Sequence, residues 1–198
     1  MYFGVRCRTA FRRVMWIVAF ATTLGIVAAS VVSAKVFASQ KQALREAFPD
    51  ASRIDRQTVL LRKQDSAAIA AILHEEVESK IVVIHTAYED DEILGYAHID
   101  VHNVRTKPEA LMIVLTPTGT VRSVRMLAFH EPLDYLPTDR WYGQFAGKSG
   151  QDGLRVGRDV HGVVGATLSA RAAADGVRRM LAYWEVLLRP AEVKTQAP

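Results

Sequence analysis

The stretch LMIVLTPTGTVRSVRMLAF, residues 111–129, decides the fold. Two apolar runs rich in β-branched residues are joined by Thr118-Gly119-Thr120, and a glycine-containing turn between such runs reads as a β-hairpin. Upstream, residues 81–88 (IVVIHTAY) and 93–101 (ILGYAHIDV) have the same strand character and are punctuated by Glu89-Asp90-Asp91 and Lys107-Pro108. Hairpins in sequence order favour an antiparallel sheet. Helical patterns flank this region, so the expected class is α+β, an antiparallel sheet flanked by helices. Residues 40–48 form a short helix stopped by Pro49, and 58–62 a further strand. Asp65 and Ser66 can cap a helix carrying Ile69, Ile72, Leu73 and Val77 and ending near Ser79. Residues 170–188 form the strongest helix, with Ala173, Val177, Met180, Leu181, Trp184 and Leu188 on one face and Arg171, Arg178 and Arg179 off it.

The N-terminus is different in kind. Residues 14–34 (VMWIVAFATTLGIVAASVVSA) carry no charge, a run long enough to span a bilayer as one transmembrane helix. Arg6, Arg8, Arg12 and Arg13 precede it without an acidic residue, which predicts a cytoplasmic N-terminus and an exported remainder. Val32-Ser33-Ala34 and Val36-Phe37-Ala38 have signal-peptidase spacing, but the apolar run exceeds a usual signal core and favours a retained anchor. Arg12-Arg13 lacks the surroundings of a twin-arginine signal. The expected organisation is a basic tail (1–13), an anchor or signal segment (14–36), a stalk (37–56), a folded domain (57–189) and a disordered tail (190–198).

Charge follows from the anchor. The chain has 25 basic and 21 acidic side chains, and without the four N-terminal arginines the balance is 21 to 21. The excess positive charge therefore argues for membrane topology and against nucleic acid as a partner. The lone cysteine, Cys7, stands before the apolar run. The exported part thus has no disulfide, no thiolate iron–sulfur ligand and no Cys-x-x-Cys-His haem attachment, so an electron carrier there must be organic.

Val163-Val164-Gly165-Ala166-Thr167-Leu168-Ser169-Ala170-Arg171 carries the chemistry. Small residues before a helix let the backbone approach an anion, helix amides and the macrodipole point at it, and the Thr167 hydroxyl is in reach. The segment resembles the signature of the FMN-binding domain. That domain is found in the sodium-translocating NADH:quinone reductase, in Rnf complexes, in nitrous-oxide-reductase regulators and in single-domain periplasmic flavoproteins. A second element resembles the same family: His130-Glu131-Pro132 after the Val121–Phe129 strand, then Trp141, Gln144-Phe145 and Gly147-Lys148. Gly95-Tyr96-Ala97 also fits the single-domain members, so the resemblance covers residues 58–188.

The resemblance implies FMN bound through Gly165, Ala166, Thr167, Leu168 and Ser169, with His130, Glu131 and Pro132 contributing. It also implies that Thr167 is the threonine that a flavin transferase esterifies to the FMN phosphate. The fuller flavinylation signature has an acidic residue six positions before that threonine and Ser or Thr before the glycine; here those places hold His161 and Val164, with Asp159 two residues upstream.

The expected function is that of a flavoprotein electron carrier. It is single-pass in a bacterial inner membrane, has its domain in the periplasm, and works between a membrane donor and another redox protein. No Gly-x-Gly-x-x-Gly follows a strand, and no catalytic triad or paired carboxylates argue for hydrolysis. The alternative is a cofactor-free anchored module of an envelope complex, in which Gly165-Ala166-Thr167 is only a helix cap. Each site feature has a plainer version too: a polar strand end at His130-Glu131-Pro132, loop-anchoring core at Trp141, Tyr142 and Phe145, a solvated Lys148. His98, Asp100 and His102 share one face of a strand, successive members about 7 Å apart. The simplest reading makes that face the solvent face, with Ile99 and Val101 toward the core; a metal site there is a third option.

Overall fold

A computed structural model describes residues 35–104 and 106–190. Its centre is an antiparallel sheet of six strands in the order β1-β6-β5-β4-β3-β2. The strands are β1 (Lys35–Val36), β2 (Arg53–Leu60), β3 (Ile81–Glu89), β4 (Glu92–Val104), β5 (Lys107–Leu115) and β6 (Val121–Phe129). From β2 to β6 each strand pairs with its sequence neighbour, as the hairpin signals require, and β1 adds to the outer edge of β6. The 111–129 hairpin forms with register Val114↔Ser123 and Ile113↔Val124. Pro108 lies inside β5, not before it, near the strand start where a missing N–H is tolerated.

The sheet is covered on both faces. On one lie α2 (Lys63–Leu73) and the long helix α4 (Thr167–Tyr183), which closes in a π-helical turn, Trp184–Leu188. Ile69, Ile84, Leu111, Ile113, Leu115, Val177 and Met180 are buried between these layers. Ala170, Ala173, Ala174 and Gly176 are buried small residues on α4, which lets the helix axis lie close to the strands. The other face is covered by α1 (Gln40–Ala47): Ala43, Leu44 and Phe48 pack with Ala87, Ala97, Met112, Val114 and Leu127. The segment expected as a stalk is thus folded onto the sheet, and β2 begins inside it. The cause is a stripe of Ala43, Leu44 and Phe48 that only the sheet's second face can bury.

Three further boundaries differ from expectation. Helix α2 starts at Lys63, with Asp65 reaching back to the Arg62 backbone N–H at 3.0 Å as its N-terminal acceptor. It stops at Leu73 because His74 turns left-handed and Glu75 and Glu76 would meet the negative end of the helix dipole. Helix α4 starts at Thr167, three residues before the expected apolar helix, because Gly165, at φ +82°, turns the chain into it. Residues 14–34 of the expected anchor and residues 191–198 of the expected tail lie outside the described residues; Lys35 and Val36, also assigned to that anchor, are β1. No helix among the described residues is long and apolar enough to cross a membrane.

Gly119 shows how tightly the hairpin turn is held. It has φ +80°, and a Cβ there would stand 2.4 Å from the Trp184 ring. A Gly119→Ala variant must strain the backbone and displace a buried tryptophan, and roughly 2–3 kcal/mol of lost stability in urea unfolding is expected.

Candidate functional site

The loop after α3 (Asp139–Tyr142) leads to the site. Tyr142 and Phe145 are buried, with Trp141 packed edge-on against both. Trp141 Nε1 donates to the His161 carbonyl at 2.6 Å, and the His161 N–H donates to Gln144 Oε1 at 2.8 Å. The aromatic cluster therefore anchors the chain that delivers Gly165-Ala166-Thr167. His161 is held through its backbone. Asp159, the nearest acidic residue to the usual place, is committed to the Arg155 N–H at 3.0 Å and to Arg158 at 3.1 Å. Lys148 pairs with Asp152 at 3.3 Å.

Gly165, Ala166, Thr167, Leu168 and Ser169 line a small pocket of about 160 Å³, together with Glu131, Tyr135 and Val104. Two sequence elements more than thirty residues apart thus meet. The Ala170 N–H is bonded to the Ala166 carbonyl at 3.0 Å, and Ala166 offers no side chain to cap the amides of Thr167, Leu168 and Ser169 before it. Thr167 is exposed at the first helical position, so its hydroxyl serves no capping role. The pocket is the size of a phosphate group and smaller than a whole-ligand cavity. Val164 and Leu168, on either side of Thr167, add exposed apolar surface.

His130 and Pro132 do not line this pocket. His130 Nδ1 contacts the Pro108 carbonyl at 2.8 Å and ties the end of β6 to the start of β5, while the Pro132 carbonyl accepts from the Tyr135 N–H at 2.9 Å. Glu131 lies on the wall, with Oε1 buried and without a hydrogen bond. A carboxylate suits hydroxyl donors better than an anion, and the groups of this pocket suited to an anion are the helix amides and the Thr167 hydroxyl.

The polar trio on β4 does not face solvent. His98 and Asp100 are buried under α4, whereas Val101 is 67 % exposed and Ile99 packs toward α1. With helices on both faces, strict alternation no longer marks inside and outside. Asp100 accepts from Arg179 Nε at 3.0 Å and Nη2 at 2.7 Å, and from His102 Nδ1 at 2.7 Å. Burial opposes the Asp100 charge, but the His102 and Arg179 hydrogen bonds hold its carboxyl far below the usual range. Burial likewise opposes charge on His102, but the Asp100 and Glu109 carboxylates outweigh it and push the imidazole up to about 9. His98 is pushed down by burial despite the Val83 carbonyl at 2.8 Å from Nδ1. Gly176 makes room for this cluster, since a Cβ there would stand 2.8 Å from Asp100 Oδ2.

Sequence reading missed Glu109 altogether. It is 1 % exposed; Oε1 accepts from the Ser169 hydroxyl at 3.4 Å, and Oε2 lies 3.7 Å from His102 Nε2 without a hydrogen bond. A buried ionic chain therefore runs Arg179–Asp100–His102–Glu109 and ends on Ser169, in the pocket wall. Its other end forms part of a cleft of about 700 Å³ with His98, Tyr183 and Glu76. The signal available in sequence was a glutamate flanked by Pro108 and Ala110 in a strand; its partners are set only through space. Among the described residues no group of three metal-ligating side chains is placed to hold an ion.

No protein-family model matches this chain, and no curated protein matches it. The resemblance to FMN-binding domains therefore stands on the motif residues.

Proposed function

We propose that this protein is a membrane-anchored, extracytoplasmic FMN-binding electron-transfer protein that relays electrons between a membrane donor and a second redox protein. One observation carries the reading: Glu131 of one family-like element and Gly165–Ser169 of the other line one phosphate-sized pocket at a helix N-terminus whose amides no side chain caps. The helix-cap alternative needs Thr167 or Ser169 to cap that helix. Thr167 instead stands exposed inside the first turn, and the Ser169 hydroxyl is given to Glu109.

In this reading the amides of Thr167, Leu168 and Ser169 hold the phosphate, the Thr167 hydroxyl is the point of esterification, and Glu131 accepts from ribityl hydroxyls. Val164 and Leu168 offer apolar surface to the ring. When bound, the flavin supplies one- or two-electron carriage. Ser169 cannot replace Thr167 as the esterified residue, because it is buried.

The test is full-length protein co-expressed with a periplasmic flavin transferase and run on a denaturing gel. A fluorescent band is expected, and Thr167→Ala is expected to remove it while Ser169→Ala keeps it. A protein that carries no flavin and takes up no added FMN would overturn the reading in favour of the cofactor-free module.

A further inference from the structure

Glu109 is the buried group that the proposed function leaves unused, and its surroundings are specific. It stands on β5 between His102 of β4 and Phe129 of β6, with Ser169 of α4 and Tyr142 of α3 facing it. The Tyr142 hydroxyl is buried without a hydrogen bond, as are His102 Nε2 and Glu109 Oε2, which face each other at 3.7 Å. Asp100 and Arg179 lie one step further; Glu131 is the carboxylate that lines the pocket itself, and Glu109 stands behind its wall, reached through Ser169. His102 and Asp100 form part of the 700 Å³ cleft, so solvent reaches the chain at the end away from the pocket.

Resting on the phosphate pocket of the proposed function, we propose that Glu109 is its proton-linked positioning residue: binding of a phosphate monoester draws one proton from the cleft, through His102, onto Glu109. The geometry supplies each part. An ionised Glu109 takes the Ser169 proton for itself and places a negative charge beside the pocket wall. An incoming phosphate dianion adds like charge, and a carboxylate next to like charge favours its protonated form. His102 is the donor facing Glu109 Oε2, and a shift of about 1 Å brings the 3.7 Å contact to hydrogen-bond length. His102 is then reprotonated from the cleft, so in net one proton leaves solvent and rests on Glu109. Protonated Glu109 donates to Ser169 Oγ, and the Ser169 hydroxyl is released to donate to the phosphate. The hydrogen-bond chain reverses direction.

The sign of the effect is diagnostic. A phosphate ester titrates near pH 6, so its own ionisation makes dianion binding stronger as pH rises. Uptake at Glu109 makes binding weaker as pH rises, toward tenfold per pH unit as the limit for one linked proton. The experiment is calorimetric titration of full-length protein, purified in detergent without a flavin transferase, with FMN at pH 6, 7 and 8. Two phosphate-free buffers of different ionisation heat are used at each pH, with riboflavin as the phosphate-free control.

Proton uptake with FMN, absent with riboflavin and lost in Glu109→Gln, is the expected result. Ser169→Ala, which keeps the carboxylate, is expected to bind FMN more weakly at pH 6 and to lose most of the gain on acidification. It serves as the second variant if Glu109→Gln does not fold by circular dichroism. FMN binding without uptake, or with uptake unchanged in Glu109→Gln, overturns the inference and leaves the flavin reading standing. If FMN does not bind, inorganic phosphate is titrated: uptake with phosphate alone supports the proton link while the flavin reading fails, and no binding of either overturns both.

Discussion

Replacing Asp100 with alanine is expected to lower stability by about 3–5 kcal/mol, the range for a buried ion pair deprived of one member. Asp100 is 6 % exposed and holds two cations, Arg179 by two hydrogen bonds and His102 by one. Without it, His102 can shed its proton, because the principal partner that kept it charged is gone. Arg179 cannot, since a guanidinium does not deprotonate in a protein. The Arg179 guanidinium then lies beside His98 and Tyr183 without its hydrogen-bonded carboxylate, on the helix whose start lines the small pocket. Urea unfolding at pH 7 would show a lower midpoint with an unchanged slope. Adding Arg179→Leu should recover part of the loss, which separates the stranded charge from lost packing. A loss under about 1 kcal/mol would mean that water enters the cluster freely.

The alkaline limb of the stability profile should be steep. His102 is pushed from its ordinary 6.5 to about 9 by folding. A raised folded value means the contribution is complete below pH 6.5 and is lost as pH rises through 9. The full shift corresponds to about 3 kcal/mol, of which about 2.4 kcal/mol, or a fall in Tm of roughly 5–10 °C for a chain of this size, is lost between pH 7 and pH 9.5. Tyr142 and Tyr183 are raised by burial from values near 10, so their losses begin above that window. His98 and His85 act in the other direction. Burial holds both rings below 6.5, so stability is lost as pH falls through 6.5 and the unfolded chain takes up the protons. The profile should therefore peak at about pH 6.5 to 7. His102→Gln is expected to flatten the alkaline limb and leave the acid limb in place, measured by thermal melts across pH.

These expectations centre on residues that the sequence misassigns. Residues 81–129 announce their strands because their connections are local: each hairpin turn carries its own glycine, acidic run or proline, and each strand pairs with the next. The face of α4 is legible for the same reason, since Ala173, Val177 and Met180 recur at the helical period. Gly165-Ala166-Thr167 is legible as a helix start without a side-chain cap because adjacent small residues carry the whole pattern. All of this is short-range information, and the chain alone determines it.

What only the tertiary structure decided is which faces are covered. Helix α1 folds onto the back of the sheet, so Ile99 packs inward while Val101 is left exposed, and the polar trio turns under α4. A strand buried on both faces loses the alternation by which a sequence distinguishes inside from outside. Glu109 becomes part of the site through partners on β4, α3 and α4 that are close only in space. Glu131 reaches the Gly165 loop because Trp141 and Gln144 hold the intervening chain. A buried charge is compatible with the fold only where such partners converge, and that convergence is a property of three-dimensional packing, with no period or spacing to mark it in the chain.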